Sequence, residues 1–192
     1  MIKSSTFAVA LAASTFLFIG TAHAQSAETF SDPAIANGLS TLAPAALREA
    51  QDCLQADGTS RAVRACTKTL QAAAPLPDIK AEILARRGIS QLSMGRFDKA
   101  ADDFQRAGSL DGDNMMAALG DGFAAIMQND HDRALARFQD CSDSEGVAAL
   151  SAYGMGLSYQ MHGDTESARE AFLAALDLRP GWDAVEEQLA ML

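Results

Sequence analysis

Apolar residues recur at helical spacing along most of the chain, and nowhere do they alternate in the two-residue manner of a strand. After a polar, weakly periodic stretch over 25–42, Leu47, Ala50, Cys53 and Leu54 mark the buried side of a helix starting near Pro44, a residue suited to a first turn. Asp57-Gly58-Thr59 interrupts it, and Val63, Cys66 and Leu70 mark a second helix from about Arg61 to Ala73. Pro75-Leu76-Pro77-Asp78 forbids continuation. The pattern then predicts helices over Ile79–Met94, Phe97–Ala107, 114–128, 131–141, 147–161 and 164–178. A short terminal helix, Trp182 to Leu192, places Val185, Leu189 and Leu192 on one side. The expected fold class is all-α.

The pattern also repeats. Gly95, Ala100, Phe104 and Ala107 return 34 residues later as Asn129, Ala134, Phe138 and Cys141, and again as Gly163, Ala168, Phe172 and Ala175. Upstream of each copy, at the same interval, stand Gly88, Gly122 and Gly156. Small residues let helix backbones approach, and a phenylalanine four residues after an alanine fills the groove so formed. One such hairpin cannot bury its face alone, so three in phase mean a stack.

These slots resemble the tetratricopeptide repeat, a helix–turn–helix unit with a small residue in helix A and an alanine, an aromatic and a second alanine in helix B. Tyr159 is the surviving helix A aromatic, with Gln91 and Ala125 in the other copies, and Pro180 is the surviving closing proline. The resemblance covers Ala43 to Pro180 and implies a right-handed solenoid with units at 43–76, 81–114, 115–148 and 149–182 and a capping helix at 183–192. The first unit is degenerate. In its register Ala50 takes the small slot and Ala62 the alanine slot, while Cys53 and Cys66 fall on the two aromatic slots, which face each other within a tetratricopeptide hairpin. The resemblance thus implies a Cys53–Cys66 disulfide, with two buried thiols as the alternative. Exported bacterial members carry an Ala-Cys-Thr segment like Ala65-Cys66-Thr67.

In this family helix A lines a concave, ligand-binding face. The resemblance therefore assigns a protein- or peptide-binding groove to Arg48, Arg86, Ile89, Met116, Leu119, Phe123, Met127, Tyr153, Leu157 and Met161, polar at the start and rich in methionine later. The alternative for each apolar member is inter-repeat core. Arg48 and Arg86 would hold a peptide carboxylate or pair with the chain's own acids. The lysine and asparagine clamp of chaperone-tail-binding members is absent.

Compartment and charge narrow the function. Lys3, the apolar run Phe7 to Ile19 and Ala22-His23-Ala24 have the layout of a secretory signal peptide over 1–24, cleaved before Gln25. The run is shorter than the roughly 20 residues that span a bilayer. The expected location is the periplasm, or the medium as the alternative, where a disulfide persists. The formal charge of −10 argues against nucleic acid and anionic membrane as partners. After signal cleavage no membrane insertion is expected.

Chemistry is sparse. His131 and His162 lie by turns in different repeats, Asp111-Gly112-Asp113-Asn114 lacks the rest of a calcium loop, and Cys141 has no activating base. No cofactor, metal or catalytic residue is expected. The reading is an exported scaffold or adaptor for cell-envelope assembly or secretion. A self-associating protein, homodimeric through the terminal helix, is the alternative, and a metal-dependent or catalytic protein a third.

Overall fold

The computed structural model describes residues 44–55, 58–72 and 76–192. The expected signal peptide, the 25–42 lead-in, Asp57, Ala73 and Pro75 lie outside the described residues. Among the described residues there are nine helices and no strand. They are α1 Pro44–Leu54, α2 Ser60–Ala72, α3 Pro77–Ser93, α4 Phe97–Leu110, α5 Met115–Met127, α6 His131–Gln139, α7 Ala148–His162, α8 Thr165–Leu178 and α9 Asp183–Met191.

The helix ends follow local chemistry. Pro77, expected to belong to a helix-breaking segment, instead opens α3 at its first turn, where a missing N–H costs nothing. Asn114 caps α5 by accepting from the Ala117 N–H at 2.9 Å, so the calcium-like segment is an inter-helix turn. Asp130 and Asp164 cap α6 and α8 in the same way, through Arg133 N and Ser167 N. The turns before α4, α6 and α8 reuse one conformation: Gly95, Asn129 and Gly163 hold φ of 70°, 57° and 88°. A left-handed residue is required there, and asparagine is the non-glycine residue that tolerates it best.

The chain divides into two compact units, Met1–Gly112 and Asp113–Leu192. In the first, α1 pairs with α2 and α3 with α4, and α3 packs on both helices of the first pair. Its core joins Ala50, Cys53, Ala65, Cys66, Ile79 and Ile83, flanked by Leu47, Leu54 and Leu70. Cys53 and Cys66 are disulfide-bonded, with Cα atoms 4.7 Å apart. Where each later hairpin puts a helix B phenylalanine, this one has a covalent bond.

The slots explain the rest. A Cβ on Gly88 would stand 2.7 Å from the Phe104 ring, and one on Gly122 would stand 2.7 Å from the Phe138 ring. A Cβ on Gly156 would stand closer still, 2.5 Å from the Phe172 ring. In the second unit Phe138 is gripped from both sides, because Gly154 of α7 faces the same ring as Gly122 of α5. Ser151 adds a buried hydrogen bond from its hydroxyl to the Phe138 carbonyl. Ala100, Ala107, Ala134, Cys141, Ala168 and Ala175 are fully buried. The terminal helix α9 packs on α8, with Val185 and Trp182 inside.

Candidate interaction surface

In the second unit, α5 and α7 present matching stripes. Met116, Leu119, Phe123 and Met127 follow one another at helical spacing on α5, and Leu150, Tyr153, Leu157 and Met161 stand 34 residues later on α7. The structure separates the middle of each stripe from its ends. Leu119, Phe123, Tyr153 and Leu157 are buried, none with more than 7% of its surface exposed. Phe123 meets Phe138 edge-on at 5.0 Å, and Tyr153 packs on Phe172 and Trp182 at 5.9 and 5.1 Å. Expected in a binding groove, these four are packing between helices, because neighbouring helices cover the middle of α5 and α7. The ends stay open: Met116, Met127 and Leu150 are half-buried and Met161 is exposed. Neither helix carries a charged residue except Asp121, which is buried. Tyr159 is half-buried in its aromatic slot and Pro180 is exposed.

The first unit is polar. Arg48 is exposed on α1, and Ile89 is half-buried on α3. Arg86 donates from Nε to Glu82 at 2.7 Å on the same helix and is almost wholly buried, so its pairing is internal. Sequence reasoning missed a larger network. Arg87 makes two bonds to the buried Asp103 carboxylate, at 2.7 and 2.6 Å, and a third to Thr67 at 3.1 Å. Gln91 donates to the same carboxylate at 2.5 Å. The Asp103 hydrogen bond raises the Arg87 pKa above its ordinary value, against partial burial. The one available signal was Gln91, a polar residue standing in an aromatic slot. The network floors a cleft of about 440 Å³ between α2, α3 and α4, rimmed by Arg96, Asp98, Lys99 and Asp102. Its cations and carboxylates balance, so it selects neither sign of ligand.

Chemical groups elsewhere are few. Cys141 is wholly buried, and burial pushes its thiol up to about 11. No group of three or more His, Cys, Asp or Glu able to hold a metal occurs among the described residues. His131 and His162, separate in sequence, come together with ring centroids 5.4 Å apart. No helix among the described residues is long and apolar enough to cross a membrane.

These features define a class of protein: helical hairpins locked by a glycine and a phenylalanine at a fixed repeat. Residues 151–181 match the family described as tetratricopeptide repeat. Solved structures share the fold. MamA from Desulfovibrio magneticus RS-1, from residue 41 to its end, is similar at 21% identity and a TM-score of 0.66, over 79% of this chain and 85% of that one. A second MamA crystal structure is similar at 23% identity and a TM-score of 0.61, over 73% and 80%. YrrB, described as a tetratricopeptide protein with an unusual peptide-binding site, is similar at 19% identity and a TM-score of 0.59, over 73% and 68%. No curated protein sequence matches. The fold of the described residues is all-α and of the tetratricopeptide solenoid type, and residues 151–181 match the tetratricopeptide-repeat family itself.

Proposed function

We propose that the chain is a non-catalytic interaction scaffold, exported to the periplasm, that binds an apolar segment of a partner protein along α5 and α7. The observation that carries this reading is the uncharged surface of these two helices, with Met116, Met127 and Met161 open at its ends. Methionine is unbranched and polarizable, so it repacks around varied apolar side chains. Apart from the buried Asp121, the acids and arginines of the unit lie on α6, α8 and α9 and in the turns between helices. Export rests on the signal-peptide layout of Met1–Ala24, and service in envelope assembly or secretion rests on family analogy.

The test is capture from the native host's envelope fraction by the wild type and by Met127→Glu with Met161→Glu. Both positions keep surface, so the double variant is expected to hold its melting temperature and lose the captured protein. Retained capture overturns the reading. Edman sequencing of exported protein is expected to begin at Gln25.

A second reading, self-association, is favoured by one feature. Leu173, Leu178 and Met191 at the end of the second unit are 49%, 58% and 51% exposed. Light scattering on the eluted protein separates the two: a dimer dispersed by Leu178→Glu supports self-association, and a monomer removes it.

A further inference from the structure

Charge is spread unevenly along the chain. Residues 44–112 hold nine acids against ten lysines and arginines, whereas the second unit, Asp113–Leu192, holds fourteen acids against four arginines and no lysine. Placement matters more than number. Met127 and Met161, at the open ends of the α5 and α7 stripes, are each followed across the turn by two acids: Asp130 and Asp132 after the first, Asp164 and Glu166 after the second. Asp130 and Asp164 cap the next helices, and Asp130 also faces Arg133 at 3.5 Å. Asp132 and Glu166 lie two residues further on and are exposed. At the other end of the stripes Asp113 precedes Met116, and Asp143 and Glu145 precede Leu150, all three acids exposed. The repeat does not require methionine beside acid. At the same register the first unit has Ser93 for the methionine and Arg96 for the first acid, and only Asp98 keeps the second. A first-turn acid suits the helix dipole, which accounts for Asp98, Asp132 and Glu166 alike. It does not account for the methionines, or for Asp143 and Glu145 in the turn before α7.

We propose that the partner segment seated on α5 and α7 is amphipathic and basic. Its apolar side chains meet the stripes, and its lysines or arginines meet Asp132 and Glu166 at one end and Asp143 and Glu145 at the other. The inference rests on the reading of α5 and α7 as the binding surface and adds the chemistry of what binds there. The two kinds of contact have separate tasks. Rim charges are solvated and individually weak, so apolar burial against the methionines sets how long the segment stays. The acids act at a distance: so acidic a unit draws a cationic segment in and turns an acidic one away. A purely apolar segment would gain nothing from the acids that flank both ends of the stripes.

The test pans a phage library of random peptides against the full, disulfide-bonded chain. Selected peptides are expected to combine apolar residues with lysine and arginine, and to be depleted in aspartate and glutamate relative to the starting library. The tightest of them, made synthetically, is then followed by surface plasmon resonance. Raising sodium chloride from about 0.1 M to 1 M shortens the screening length from about 10 Å to about 3 Å and is expected to slow association. Asp132→Asn with Glu166→Gln, both at exposed positions, is expected to weaken binding about three- to tenfold, through the association rate. Met127→Ala with Met161→Ala is expected to weaken it through the dissociation rate instead. Both double variants are expected to melt like the wild type by circular dichroism. Apolar peptides with no cationic bias, or association indifferent to the two acids, overturn this inference and leave the apolar surface standing. A library that yields no peptide, or binding unmoved by the methionine pair, overturns the surface and this inference with it.

Discussion

Phe138 shows what single residues decide here. It lies between two glycines from different hairpins, so a methyl group on either one meets the ring at well under contact distance. Gly122→Ala is expected to destabilise by about 1–3 kcal/mol, the usual cost of overpacking. Gly108, inside α4 with open space around it, gives the opposite expectation. Gly108→Ala is expected to stabilise by about 0.5–1 kcal/mol through helix propensity. Urea denaturation of the two variants checks both signs. Asp103 carries a different kind of weight. Its side chain is 1% exposed and its partner Arg87 is 15% exposed, so Asp103→Ala leaves a buried cation unpaired. The expected loss is about 3–5 kcal/mol, whereas Arg87→Met with Asp103→Leu is expected to be nearly neutral. If the single and double variants melt alike, the pair is not what holds α3 to α4.

Among elements, the first hairpin is the exception. It lacks the helix B phenylalanine that every later hairpin carries and holds α1 to α2 through Cys53 and Cys66, thirteen residues apart. Replacing both cysteines with alanine is expected to cost about 3 kcal/mol, in keeping with the length of loop closed. Faster hydrogen exchange confined to α1 and α2 would locate the loss; exchange unchanged there would mean that the bond is dispensable. This pairing was legible once the repeat register was known, because the two cysteines fall on slots that face each other. The turns were legible for a similar reason: Gly95, Asn129 and Gly163 must all be left-handed, and the sequence offers residues that allow it. Pro77 was misplaced by the same local reasoning, since a proline both ends one helix and begins the next.

At the scale of the molecule, repeat proteins gain stability from each unit and its nearest neighbours. The disulfide lies in the first unit and the single tryptophan, Trp182, in the second. Reductant is therefore expected to shift the early part of the helical circular-dichroism transition and leave the Trp182 fluorescence midpoint in place. A matching shift of both signals would mean that the units unfold as one. The period, the helices and the small and aromatic slots were settled by sequence, because each depends on contacts inside one hairpin or on a turn's own backbone; the repeat register set Cys53 and Cys66 face to face, and the structure chose the bond over two buried thiols. Tertiary structure alone decided that Phe123 and Tyr153 are core while Met127 and Met161 keep surface, that Gly154 shares the Phe138 ring, and that Arg87 and Gln91 converge on Asp103. It also decided that two histidines meet. These outcomes depend on what a separate helix sets opposite each side chain, and a periodic pattern says which face a residue is on without saying what covers that face.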